Sequence, residues 1–277
     1  MPNSFIFAII LTFIAAAAAL GLTSSGPFTV VQEWYGGLWL FLEFTMQMAL
    51  IIVTGHAVAS SPLVRRFLER IASIPRTTTH AYTSVILVGA AFGYINWGLG
   101  MIVAVFFALQ IARVRDDIDF GFLVAAAYAG IWPGIVGSLS VTAPLLVNTP
   151  DHFMSDEIGL IPLSETIFSP MILFVVVTTL VSFILLFWRM QPKGDDVDPI
   201  KDEKLEELLP ETDSTAYADG GTQTASPTIA ERLNQNRLFT AFVVLLGGSY
   251  IIWNFYTKGP IGGLNLNTMN TTFLMLG

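Results

Sequence analysis

The chain has 277 residues, 53% of them hydrophobic and only 12% charged, with a mean hydropathy of +0.65. Soluble domains carry about 25% charged residues, so the composition specifies a polytopic membrane protein, and no basic surface points to nucleic acid. Zero cysteines exclude disulfides, thiolate metal sites and a cysteine nucleophile, and the net charge of −8 is local, since residues 191–236 hold eleven acidic and four basic side chains.

Residues 5–22 (FIFAIILTFIAAAAALGL) predict a first span. Its Ala-rich end imitates a signal-peptide cleavage region, but no Lys or Arg precedes it, which favours a retained helix. Residues 23–37 predict a Gly/Ser/Pro loop with one charge, Glu33. The second span, 38–59, carries Glu43, Gln47, Thr54 and His56. At about 100° per residue, Gln47 and Thr54 lie within about 40° of Glu43 and make one polar stripe. An intramembrane carboxylate is a functional candidate by default, so Glu43 and Gln47 are candidates for ion coupling. The competing reading places Glu43 near the outer interface, solvated.

A basic loop with Arg65, Arg66, Arg70 and Arg76 leads to residues 81–112, an uncharged stretch interrupted at Asn96-Trp97-Gly98. Two arms of about 14 residues would rise about 21 Å each, short of a hydrocarbon core of about 30 Å. The spacing therefore predicts a re-entrant hairpin with its tip, 93–100, inside the bilayer. Non-helical backbone at that depth is tolerated only when buried in protein or lining an aqueous cavity. Residues 120–147 are apolar but carry Trp132-Pro133-Gly134, Gly137-Ser138-Leu139-Ser140 and Pro144, which predicts a broken helix. An acidic loop follows, with Asp151, Asp156, Glu157 and Glu165, then a span at 166–188.

Residues 191–236 predict an acidic linker. PIKDEKLEELL is compatible with a short helix, the middle has the composition of disorder, and Ser226-Pro227 with Thr228 and Glu231 marks a helix start. Residues 238–257 predict another span, and from Asn267 an apolar run continues to Gly277. With a cytoplasmic N-terminus, the segments 60–80, 113–119 and 189–237 fall inside and hold 12 of the 13 Lys and Arg residues, which leaves only Lys258 outside. This places the chain as a multi-pass protein of the cytoplasmic membrane with the 191–236 linker inside.

No catalytic motif stands out, and His56, His80 and His152 are scattered, so neither catalysis, a metal nor a cofactor is expected. The helix breaks are more informative. Secondary transporters bind substrate and ion near the midplane, where half-helix N-termini offer free N–H groups to anions and unwound carbonyls take cations. The two breaks here supply Asn96, Trp97, Gly98, Ser138, Ser140 and Thr142 as candidate substrate or ion contacts. Trp97 does not fit an interfacial belt, unlike Trp34, Trp39 and Trp188. The plainer reading is that Gly and Pro merely kink packed helices.

The segments GLWLFLEFTMQMALIIVTGHAVASSP (37–62), YINWGLGMIVA (94–104), GLIPLSETIFS (159–169) and LNTMNTTF (266–273) resemble the short-chain fatty acid transporter family, and the likeness runs along essentially the whole chain. It implies uptake of small monocarboxylates such as acetoacetate or butyrate, coupled to a cation, H⁺ or Na⁺. It also implies an ion-transporter-type fold of two inverted repeats, each with a re-entrant hairpin and a broken helix. On that basis 1–190 is a first membrane repeat, 191–236 the linker, and 237–277 the start of a second repeat that the chain does not complete. GIWPGIVGSLSVTAP departs from the family's glycine-rich pattern at the broken helix.

The resulting expectation is an all-α integral membrane protein, a secondary transporter or the N-terminal part of one. Its partners are a short-chain monocarboxylate, a coupling cation and the lipid bilayer, with a homo-oligomer or a second-half partner as further options. Two alternatives stand beside it: a transporter of another small organic anion on the same scaffold, and a non-transporting truncated membrane protein acting by assembly.

Overall fold

The computed structural model describes residues 4–201, 204, 205, 208 and 237–276. Among them every regular element is a helix, and four helical stretches are long and apolar enough to cross a membrane: 5–22, 27–59, 97–114 and 170–190. Residues 1–48 and 49–277 form two compact units.

The first unit contains α1 (Ser4–Leu22), α2 (Pro27–Leu40) and the start of α3 (Leu42–Ala59). The expected loop at 23–37 is helical from Pro27 onward. Proline in the first turn gives up an N–H that the helix would not use, and its fixed φ suits the helix. Gly36 and Gly37 are carried inside at a cost of about 1 kcal/mol each. An apolar surround offers their amides no partner outside the helix, which offsets that cost. The helical path continues across Phe41, whose N–H donates to the Gly37 carbonyl at 3.0 Å.

The second unit is built on α5 (Thr78–Ile95), α6 (Trp97–Val114) and α7 (Phe120–Val136), with α4 (Pro62–Ala72) against α6 and α10 (Pro170–Met190) against α5 and α7. Small residues set the packing. A methyl group built on Gly89 would meet the Ala104 side chain at 3.3 Å, and Gly100 abuts Gly93. Moving four residues along one helix moves four back along the other, so α5 and α6 are antiparallel. A methyl on Gly130 would lie 2.6 Å from Ile86 and one on Gly134 2.6 Å from the Ala90 carbonyl. The offset of 44 is constant, so α5 and α7 run parallel. Close backbone approach through Gly and Ala is how helices associate in lipid, where hydrophobic burial between them gives little.

Residues 81–112 do form a helical hairpin, but the arms are 18 residues each, a rise of about 27 Å instead of about 21 Å. Part of the extra length lies in polar sequence that apolar counting overlooks, and part at the tip, where a single residue makes the turn. The Thr77 side chain accepts from the His80 N–H at 3.2 Å and starts α5 before the apolar stretch. Only Asn96 leaves helical geometry, at φ −150° and ψ 124°, while Trp97 and Gly98 already belong to α6. The second break is also narrower than expected. Pro133 sits inside α7, the chain leaves the helix at Gly137, and α8 (Thr142–Val147) resumes it. Pro144 lies in the first turn of α8, where a missing N–H costs little.

After α8 come the single turn α9 (Ser155–Ile158) and α10; beyond the linker, α11 (Arg237–Gly262) and α12 (Leu266–Leu276) pack together. Gly259, at φ 75° and ψ 172°, breaks α11 just before Pro260. This left-handed conformation is one that glycine adopts without strain.

At the charged end of the bundle Asp119 joins three segments. Its Oδ1 accepts from the Phe122 N–H at 2.7 Å to cap α7, its Oδ2 accepts from the Asp198 N–H at 3.0 Å, and its own N–H donates to the Tyr82 hydroxyl at 3.1 Å. The start of the linker is thereby tied to the α6–α7 loop. The expected disorder in the linker and the helix start at 226–231 lie outside the described residues.

Candidate functional site

Asn96 ends α5 and begins α6. Its N–H donates to the Phe92 carbonyl at 2.9 Å, and its side-chain Oδ1 accepts from the Leu99 N–H at 3.0 Å. An Asn side chain in this role satisfies one of the N–H groups a helix start leaves open. The chain can turn so tightly because α3 leaves room. A methyl on Gly98 would lie 3.2 Å from the Ile51 carbonyl, and one on Gly55 would lie 2.9 Å from the Leu99 nitrogen.

The turn between α7 and α8 packs directly on this tip. The Trp97 N–H donates to the Ser140 Oγ at 3.0 Å, and the Leu139 N–H donates to the Tyr94 carbonyl at 2.7 Å. Ser138 and Ser140 share a hydroxyl–hydroxyl bond of 3.0 Å, and the Ser140 N–H donates to Ser138 Oγ at 3.2 Å. Asn96, Ser138 and Ser140 are all fully buried. The two breaks, more than forty residues apart in sequence, form one polar junction.

A donor count shows what this junction can do. Trp97 and Leu99 spend their amides on Ser140 and Asn96, so α6 does not hold out the free N–H cluster expected of a half-helix start. Instead the Asn96 Nδ2 and the Trp97 Nε1 are both buried with no partner among the described residues. Of the two serine hydroxyl hydrogens, one serves the Ser138–Ser140 bond and one is left over. The residues of the junction therefore offer spare donors and carry no charge. Buried orphan donors are rare and costly; an acceptor that entered would recover that cost.

The predicted residues are thus distributed unevenly. Asn96, Trp97, Gly98, Ser138 and Ser140 come together, and Thr142 stands two residues beyond Ser140 as the first residue of α8, half-buried. Glu43 and Gln47 stand on the part of α3 that belongs to the first unit, and the Glu43 side chain lies outside what the structure describes. Thr54, farther along α3, is buried and donates to the Leu50 carbonyl at 2.6 Å. His152 is buried in a local turn. It accepts from the Met154 N–H through Nδ1 at 3.2 Å, which leaves Nε2 to donate to the Gly159 carbonyl at 3.1 Å.

Sequence reasoning overlooked a second polar cluster at the far end of α8. Asn254 donates to the Gly263 carbonyl at 3.0 Å and to Thr268 Oγ1 at 2.9 Å, while Asn265 Oδ1 caps α12 through the Thr268 N–H at 2.9 Å. Asn148 donates to the Leu264 carbonyl at 2.9 Å, and Thr149 Oγ1 accepts from the Leu266 N–H at 3.2 Å. Asn270 is buried, and neither carboxamide atom has a partner among the described residues. The signal was the spacing of Asn265, Asn267 and Asn270 at the head of an apolar run.

Fold and junction together define an α-helical membrane protein with paired discontinuous helices. The family model for short chain fatty acid transporters matches residues 1–277, and the chain belongs to that family. It is 36% identical over 286 residues to a protein of Haemophilus influenzae and 37% identical over 279 residues to one of Escherichia coli K12, both provisionally named short-chain fatty acid transporters. Both alignments cover 100% of this chain but only 61% and 60% of the relatives, so the chain spans about three-fifths of their length. No solved structure matches the chain.

Proposed function

We propose that the chain is the N-terminal part of a secondary transporter that carries short-chain fatty acids, such as acetoacetate or butyrate, across the cytoplasmic membrane with a coupling cation, and that it catalyses no reaction. The observation that carries this reading is that Asn96 and Trp97, at the tip that bonds to Ser140 through the Trp97 backbone N–H, each hold a buried side-chain donor, Nδ2 and Nε1, with no partner among the described residues. A carboxylate has acceptor oxygens only and complements such a set. One carboxylate is enough to occupy it. A dicarboxylate would ask for a second positive anchor, and neither break contains Lys or Arg, which favours monocarboxylates. The hairpin is read as re-entrant, with both ends on the cytoplasmic face, and residues 1–190 as the first of two repeats. Glu43 and Gln47 serve as ion-coupling candidates on α3.

Uptake of labelled butyrate into liposomes tests this. Asn96→Ala removes a cap and a donor, and Ser138→Ala removes the partner of Ser140; each lowers uptake about tenfold, the size of one or two lost hydrogen bonds. Ser249→Ala, exposed on α11, leaves it unchanged. Wild-type uptake in both junction variants would sink the site assignment.

A further inference from the structure

We propose that α4 is a docking surface for anionic phospholipid, lying flat in the headgroup layer with Arg66 and Arg70 on lipid phosphates and Leu63, Phe67 and Ile74 among the acyl chains. One face of the helix is buried and its exposed side is mixed. Val64, Leu68 and Ala72, four residues apart, are buried where α4 packs on α6. The uncovered side holds apolar groups: Leu63 is 77% and Phe67 47% exposed, and Ile74, just past the end of the helix, is 66% exposed. The same side carries Arg66, Glu69 and Arg70, all exposed. At about 100° per residue Leu63 and Phe67 lie about 40° apart, with Arg70 about 20° and Arg66 about 60° from Leu63, so the basic and apolar side chains border one another.

Water on all sides would leave the apolar side chains uncovered, and hydrocarbon on all sides would strand two guanidinium groups. The boundary between headgroups and acyl chains satisfies both kinds of side chain, the long arginines reaching up to the phosphates, while the buried face stays on α6. The charge points to an anionic surface. Residues 60–80 hold four arginines against the single Glu69 in a chain of net charge −8. Arg65 adds a separate sign: its guanidinium lies 5.7 Å from the centre of the Phe106 ring, and its Nε is buried without a partner among the described residues. Guanidinium forks match phosphate oxygens two at a time, and juxtamembrane basic residues gain binding to anionic leaflets additively. The proposal needs neither the substrate nor the transport activity.

Native mass spectrometry of the purified chain, titrated with phosphatidylglycerol or phosphatidylcholine, reads the preference directly. Wild type should retain phosphatidylglycerol in preference to phosphatidylcholine. R66Q/R70Q should bind phosphatidylglycerol about thirtyfold more weakly, the factor for two surface charges, and R66K/R70K should keep most of the preference. R113Q, on α6, should match wild type, and inorganic phosphate should not displace the lipid. Equal retention of the two lipids would overturn the proposal. So would an undiminished preference in R66Q/R70Q, an equal loss in R113Q, or displacement by free phosphate. Both arginines are exposed, so R66Q/R70Q should melt with wild type, and the lysine variant separates charge from fold if it does not.

Discussion

Trp97 lets folding be separated from the proposed binding at a single atom. Its indole Nε1 is buried with no partner among the described residues, a desolvation cost without return. Trp97→Phe keeps the ring and deletes the donor. Thermal unfolding should stay level or rise slightly, while butyrate affinity falls about tenfold, one charge-assisted hydrogen bond. A variant that unfolds earlier yet binds normally would assign the tryptophan to packing alone. Asp117 offers a smaller, pH-dependent test at the charged end. The Arg115 guanidinium, 2.6 Å away, holds its carboxyl below the usual carboxylate range. A lowered folded-state pKa stabilises above the unfolded value and loses that contribution as pH falls through the folded one. Asp117→Asn should therefore cost stability at neutral pH and nothing in strong acid. The side chain is 59% exposed, which limits the effect to about 1 kcal/mol or less. Candidate residues were legible at this scale because Asn, Trp and Ser stand out in apolar sequence. The pairing of Trp97 with Ser140 was not, since no local rule connects residues 43 positions apart.

At the scale of elements, glycine decides how closely α5 and α7 approach. A methyl on Gly130 or Gly134 would collide with backbone at 2.6 Å, and backbone cannot swing aside. Gly130→Ala and Gly134→Ala should each destabilise by about 1–3 kcal/mol, measured by thermal unfolding in detergent, whereas Gly248→Ala, with open space around it, should not. Equal melting of all three would deny the close packing. Asp119→Ala should also cost about 1 kcal/mol through the lost α7 cap. The hairpin could be read from the uncharged stretch and its single interruption, but its arm length could not. Caps such as Thr77 extend helices into polar residues that hydropathy discounts. The helix at 27–40 was hidden for the opposite reason. Gly, Ser and Pro near its start signal a loop in water, where exposed amides find partners, and that signal weakens in lipid.

For the whole molecule, orientation and binding site stand as separate claims. The segment from 189 to 237 carries six basic residues and Lys258 stands apart from them, so the positive-inside rule puts Lys201 inside and Lys258 outside. The chain has no native cysteine. A membrane-impermeant thiol reagent applied to intact cells should therefore label Lys258→Cys and spare Lys201→Cys; the reverse pattern would invert the topology. The Asn254–Asn265–Thr268 cluster belongs to this scale too. It ties α11 to α12, while Asn148 and Thr149 join the far end of α8 to the same segment, and that link escaped sequence reading because its partners lie 116 and 117 residues apart.

The central proposal is that the hairpin tip and the α7–α8 turn jointly hold a carboxylate. Equilibrium binding of labelled butyrate to the purified chain, run as a double-mutant cycle on Trp97→Phe and Ser140→Ala, tests it most directly. Two donors to one ligand should each lose about tenfold singly and less than the product together, because either loss lets the carboxylate shift. Butyrate affinity untouched by both substitutions would contradict it.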